Sequence, residues 1–272
     1  MKLKDKVALI TGGGSGLGAA ITERFVAEGA KVCISGRRAD VLEKMAGSLP
    51  RGSAVSCAGD VCDPDDIKRM VETAAGINGK LDILVNNAGI ELTGAVVDLD
   101  LSDWQKVLDI NLTGPFLLMK AAIPHMIKSG NGSIVNISAL SGSYAIPNMP
   151  AYGAAKAGLN MLTKNVAMDY GGYNIRCNAV CPGPFRTPMM DELFGMIGEM
   201  KGIGVEEVVE KVGSAMALKR VGRPDEIAGI CVFLASDDSS YITGTNIIID
   251  GGGGIVDTAG YVLGAMMHGD PP

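Results

Sequence analysis

Short runs of aliphatic and β-branched residues alternate along the chain with longer stretches whose apolar positions recur at helical spacing. Val7-Ala8-Leu9-Ile10 predicts a first strand, and residues 16–28 a helix closed by Gly29. A second strand is expected over 31–35, a helix over 39–47 and a third strand over Ala54–Ala58. Asp63-Pro64 announces the next helix, since the carboxylate caps free backbone N–H groups and proline fits the first turn. Asn78-Gly79 breaks the chain before the strand Ile83-Leu84-Val85. A long helix over 102–128 leads to a strand over 133–137, and a helix over 151–170 to a strand over 175–180. Pro224 opens a helix that runs to Ala235, and Asn246–Ile249 forms a last strand. Near-continuous apolar strands separated by helices predict an α/β fold with a doubly wound parallel sheet.

At 272 residues the chain is long for one domain, but open α/β sheets reach this size, so residues 1–272 are expected to form a single one. No linker or internal repeat divides it. Two segments fall outside the rhythm: a methionine-bearing insertion over 185–220 and a glycine-rich tail over 251–272. A net charge of −6 speaks against nucleic acid or an anionic membrane as partner. Six cysteines without a CxxC pair read as reduced thiols, and the two histidines, His125 and His268, leave little from which to build a metal site, so none is expected. The N-terminus carries no secretory pattern, and no apolar run approaches the ~20 residues of a membrane span. The expected location is the cytoplasm.

The first strand runs into Thr11-Gly12-Gly13-Gly14-Ser15-Gly16-Leu17-Gly18, which opens the first helix. Glycines let backbone approach a pyrophosphate, and the helix N-terminus offers it free N–H groups, as in Rossmann-like folds. The second strand ends in Gly36 rather than the acid that would bind ribose hydroxyls, and Arg37 and Arg38 follow. Guanidinium groups suit a 2′-phosphate, so NADP is favoured and NAD remains open. Later, Tyr152-Gly153-Ala154-Ala155-Lys156 places an ammonium one helical turn from a phenol. A nearby cation, with NADP⁺ bound beside it, favours phenolate, which would bring the phenol toward the working range of an acid–base catalyst.

In order and spacing these motifs, with Asp60-Val61, Asn86-Asn87-Ala88-Gly89, Asp109-Ile110-Asn111 and Pro182-Gly183-Pro184-Phe185-Arg186-Thr187, resemble those of the short-chain dehydrogenase/reductase family, from about Lys6 to Gly252. The resemblance implies a nicotinamide-dependent oxidoreductase interconverting an alcohol and a ketone. It implies that Gly12, Ser15, Gly16, Leu17 and Gly18 hold the pyrophosphate, that Asp60 and Val61 meet the adenine, and that Asn87, Ala88 and Gly89 border the adenosine ribose. Tyr152 would move the proton, Lys156 would bind the nicotinamide ribose, and Asn111 would anchor a water leading to Lys156. Pro182, Gly183, Phe185 and Thr187 would orient the nicotinamide. A homotetramer is also implied.

One piece departs from the family pattern. The serine that polarises the carbonyl normally lies thirteen residues before the tyrosine, where this chain has Ala139. A methyl group donates no hydrogen bond, and losing one such donor costs ~10²–10³ in rate. Three readings compete: Ser141, of the same strand parity as position 139, takes over; Ser138 does, despite pointing to the opposite face; or the chain is weakly active, even a non-catalytic cofactor-binding subunit. The family's pocket loops here carry Glu91, Leu92, Tyr144, Ile146, Met149 and the 185–220 insertion. Ser141, Ser143, Tyr144 and Met189 are the candidate substrate contacts, and the methionines suggest a hydrophobic substrate.

Overall fold

Seven strands pair in parallel: β1 (Val7–Thr11), β2 (Lys31–Gly36), β3 (Ala54–Ala58), β4 (Ile83–Asn86), β5 (Gly132–Ile137), β6 (Ile175–Pro182) and β7 (Asn246–Ile249), in the order β3-β2-β1-β4-β5-β6-β7. The computed structural model describes residues 1–255 together with 266 and 267, so most of the 251–272 tail, His268 included, lies outside the described residues. The helices are α1 (Gly16–Ala27), α2 (Ala39–Ser48), α3 (Pro64–Gly76), α4 (Leu101–Leu108), α5 (Gly114–Ser129), α6 (Pro150–Tyr170), α7 (Pro188–Lys201), α8 (Val205–Ser214) and α9 (Pro224–Ala235). This is the Rossmann-like doubly wound sheet expected from the alternation, in one domain.

Every residue of β1, β4 and β5 is buried, because helices cover both faces. Successive side chains sort to opposite faces. Leu9, Leu84 and Ile134 join one core with Met70 of α3 and Leu118 of α5. Ala8, Ile10, Val85 and Val135 join the other with Phe25 of α1 and Ile227 of α9. Asp63 caps α3 as its sequence suggested, its carboxylate accepting from the N–H groups of Asp65 and Asp66 at 2.8 and 3.1 Å.

Two elements differ from the sequence pattern. The long helix expected over 102–128 is α4 and α5 joined by a π-helical turn, Asp109–Thr113. Its extra residue shifts the helical phase, and the buried Asn111 sits in that turn. The 185–220 insertion is itself helical, as α7 and α8. Strand order reverses between β1 and β4, so the carboxyl ends of these two strands open the crevice in which such sheets bind ligands.

Candidate active site

The glycine loop lies at that crevice and is shaped by close backbone approaches. Gly12 and Gly16 have φ of +65° and +54°, the left-handed region that disfavours a side chain. A Cβ on Gly18 would stand 2.1 Å from the Gly12 carbonyl oxygen, so α1 packs there only without one. Leu17 is half-buried against the core. The loop is tied to the end of β4: Thr11 Oγ1 accepts from the N–H groups of Asn87 and Ala88, both at 3.0 Å. The Asn87 side-chain amide donates to the Thr11 carbonyl at 2.9 Å. The predicted Gly12–Gly18 and Asn87–Gly89 segments are therefore one structure. Thr187 approaches from the other side, where a Cβ on Gly16 would lie 3.6 Å from its Cβ.

At the crest of β2 the two guanidinium groups diverge. Arg38 donates to Ser15 Oγ at 3.2 Å, reaching over the glycine loop. Arg37 acts electrostatically on Cys62, beside Asp60, whose carboxylate accepts the Cys62 N–H at 2.9 Å. Val61 is buried next to them. Of the two arginines, Arg38 is the one that touches the loop. A glycine-lined cradle at a helix N-terminus, with flanking cations, fits the phosphates of a dinucleotide.

The predicted proton-transfer residues converge where β4, β5 and α6 meet. The Lys156 ammonium lies 5.4 Å from the centroid of the half-buried Tyr152 ring. It donates to the Ile137 carbonyl at 2.9 Å. A Cβ on Gly89 would be 2.7 Å from Asn111 Oδ1 and 3.7 Å from Lys156 Nζ, which places all three groups together. The Asn111 amide donates to the carbonyls of Ile90 and Val107 at 2.9 and 3.0 Å. Its Oδ1 is buried without a hydrogen-bond partner among the described residues, an acceptor that fits the water expected there. Deeper in, the Asn136 amide donates to Thr163 Oγ1 at 2.9 Å and its Oδ1 accepts from Asn86, locking α6 to the sheet.

The protein's own groups do not lower the Tyr152 phenol; burial, and then the Glu91 carboxylate, raise it well above its ordinary value. Burial lowers the Lys156 ammonium to about 8. The two groups sit at high energy in their charged forms, so a phenolate here depends on further positive charge beside it.

Ala139 has extended backbone and is buried. Ser138 is turned toward α6, its hydroxyl donating to the Lys156 carbonyl at 3.2 Å and so already engaged. Ser141 lies in a short 3₁₀ turn, Leu140–Gly142, its Oγ buried without a hydrogen-bond partner among the described residues. Its carbonyl oxygen would be 3.4 Å from a Cβ on Gly153, the neighbour of Tyr152. Ser143, Tyr144 and Met189 are exposed at the rim. Pro182 and Phe185 are buried, the Phe185 ring against Gly222, and Gly183 packs on Asp250. Thr187 caps α7, accepting from the Met190 N–H at 3.3 Å. Sequence reasoning placed Glu91 in the pocket lining without a role; only the fold reveals that its charge acts on the phenol, and that its neighbours Ile90 and Leu92 share an apolar cluster with Tyr152.

The comparisons agree with this geometry. Residues 12–253 match the family model described as enoyl-(acyl carrier protein) reductase. The chain is 43% identical over 255 residues to a 3-oxoacyl-(acyl-carrier-protein) reductase of Thermotoga maritima, covering 93% of this chain and 99% of that one. It is 37% identical to an NADP-dependent (R)-specific alcohol dehydrogenase of Lentilactobacillus kefiri, over 92% of this chain and 97% of that one. Levodione reductase superposes with a TM-score of 0.87 at 35% identity, covering 92% of this chain and 98% of that one. With its tyrosine, lysine and asparagine gathered at the mouth of a glycine-lined crevice, the chain belongs to the short-chain dehydrogenase/reductase family of oxidoreductases.

Proposed function

We propose that the chain interconverts a secondary alcohol and a ketone, with NADP as hydride partner and NAD as the second candidate. The observation that carries this reading is the Tyr152–Lys156 pair, ammonium 5.4 Å from the phenol ring, opening on the same crevice as the glycine loop. When bound, the nicotinamide delivers or accepts the hydride and, in its oxidised form, adds positive charge beside the phenol. Tyr152 Oη gives its proton to the carbonyl oxygen in reduction and takes the alcohol's proton in oxidation. Lys156 stabilises the phenolate electrostatically and holds the ribose, and Asn111 Oδ1 holds a water next to it. Ser141, whose hydroxyl has no other partner among the described residues, donates to the substrate oxygen in place of the serine that Ala139 replaces.

Gly36 in place of an acid, Arg38 over Ser15 and Arg37 beside Asp60 support NADP, as does the NADP dependence in the name of the Lentilactobacillus relative. Exposed Tyr144 and Met189 at the rim support a substrate with a largely apolar body. The net charge of −6 supports a small molecule rather than a nucleic acid or a membrane surface, and the family resemblance supports a cytoplasmic homotetramer. The Ala139 methyl group favours a second reading, a weakly active or non-catalytic cofactor-binding subunit. A panel of secondary alcohols and ketones assayed with NADP and NAD separates the two. Turnover that falls ~10²–10⁴-fold in Tyr152→Phe is expected from the loss of acid–base catalysis. Inactivity of the wild type across the panel, with either dinucleotide, would establish the second reading.

A further inference from the structure

Glu91 is a carboxylic acid that the proton-transfer machinery does not use. It stands on the connection between β4 and α4, a segment held at two points. Asn111 donates to the carbonyl of Ile90 at 2.9 Å, immediately before Glu91, and the Gly94 N–H donates to the carbonyl of Asn148 at 2.8 Å, just after it. Its neighbours Ile90 and Leu92 pack in one apolar cluster with Tyr152 and Ala155. Glu91 is thus a fixed group on a pinned backbone, half-buried and within electrostatic reach of the phenol. Among the described residues its carboxyl has neither a hydrogen bond nor an ion pair.

A half-buried carboxyl with no partner has lost water without regaining hydrogen bonds, and burial accordingly raises its pKa. Lys156, the cation beside Tyr152, is engaged with the Ile137 carbonyl rather than with Glu91. A hydrogen-bond donor carried by the substrate beside Tyr152 would satisfy Glu91. An anionic group at that point would meet repulsion. Apolar pockets fix ligand orientation with a few such polar points.

We propose that Glu91 is a specificity-determining residue whose carboxyl accepts a hydrogen bond from a second hydroxyl of the substrate, one or two carbons from the reacting one. The preferred substrates are then diols and hydroxy ketones with an apolar body rather than mono-alcohols. This rests on the oxidoreductase reading above for the chemistry, but the recognition itself is measurable without turnover.

The probes are trans-1,2-cyclohexanediol, cyclohexanol and 2-aminocyclohexanol, titrated calorimetrically into protein saturated with NADP⁺ and then assayed as substrates. A hydrogen bond to a charged group corresponds to a preference of roughly tenfold or more for the diol over cyclohexanol in the wild type. Glu91→Leu erases that preference, and Glu91→Gln, whose amide oxygen still accepts, retains part of it. In turnover the loss falls on KM for the diol. Equal binding of diol and mono-alcohol by the wild type, or a preference that survives Glu91→Leu, overturns the assignment. So does equal loss of kcat on both alcohols, which would put the effect on Tyr152. Tighter binding of the amine than of the diol would mean that a cation, not a hydroxyl, is recognised, and would overturn it too. Diol binding that depends on Glu91 without any oxidation supports the recognition and sinks the alcohol–ketone chemistry alone.

Discussion

The two halves of the crevice are built on different principles. On the glycine-loop side, the fit comes from backbone and from missing side chains: the bare Cα of Gly18 against the Gly12 carbonyl, and Thr11 stitched to Asn87 and Ala88. On the α6 side, the fit comes from side chains held in unfavourable states. Tyr152 is raised, Lys156 is lowered, and Ser141 Oγ and Asn111 Oδ1 are buried without partners among the described residues. One side is shape, suited to the phosphates of a dinucleotide; the other is unsatisfied chemistry, which charges and hydrogen bonds from bound ligands would satisfy.

The largest test of that contrast concerns Ser141. If its orphan hydroxyl is the carbonyl donor, Ser141→Ala lowers kcat by ~10²–10³, the loss expected for one such donor. Ala139→Ser alone changes the rate little, because the position is already served, but added to Ser141→Ala it restores much of the lost rate. Steady-state kinetics on the four proteins decides the matter. A hundredfold gain from Ala139→Ser in the wild-type background would mean that the site lacks its donor and that Ser141 is merely buried.

The same contrast governs what could be read from the sequence. Strand and helix order, the glycine loop, the Asp63 cap and the Tyr152–Lys156 spacing were legible because each is a local pattern: alternation, a turn, a single helical step. The π-helical turn at Asp109–Thr113 was not legible, since apolar spacing through 102–128 looks continuous and only packing against β5 and α6 shows the shifted phase. Nor was the relation of Glu91 to Tyr152, groups 61 residues apart on separate connections and brought together by the sheet order. The raised phenol of Tyr152 was not legible for the same reason: its helical neighbour Lys156 is visible in the sequence, while its burial and Glu91 are not.

On the glycine-loop side, the prediction is smaller and selective. Arg38→Ala removes the guanidinium that reaches Ser15, and Arg37→Ala the one nearer Asp60. Each is expected to weaken NADP binding roughly tenfold, the size of one charge-assisted hydrogen bond from an exposed group, and to leave NAD binding nearly unchanged. Fluorescence titration with both reduced dinucleotides measures this. Equal weakening of the two would show that the arginines hold the pyrophosphate or the fold rather than a 2′-phosphate.

The smallest effect is on stability and comes from Lys156. Its ammonium is almost wholly buried, and its pKa falls from 10.5 in the unfolded chain to about 8 in the fold. A shift of that size corresponds to a penalty on the order of 3 kcal/mol for folding with the charge in place. Lys156→Met removes the penalty but orphans the Ile137 carbonyl, which costs about 1–2 kcal/mol. The variant should therefore be inactive yet more stable than the wild type, by ~1–2 kcal/mol net or a few degrees in Tm. The pH dependence fixes the cause. Below pH 8 lysine is protonated in both states and the penalty is complete. Between pH 8 and 10.5 the folded protein releases the proton while the unfolded chain keeps it, so wild-type stability gains on the variant as pH rises. Parallel melting curves at pH 7 and pH 10 test this. A stability difference that stays constant over that range would show that the methionine acts through packing and that the buried ammonium carries no folding penalty.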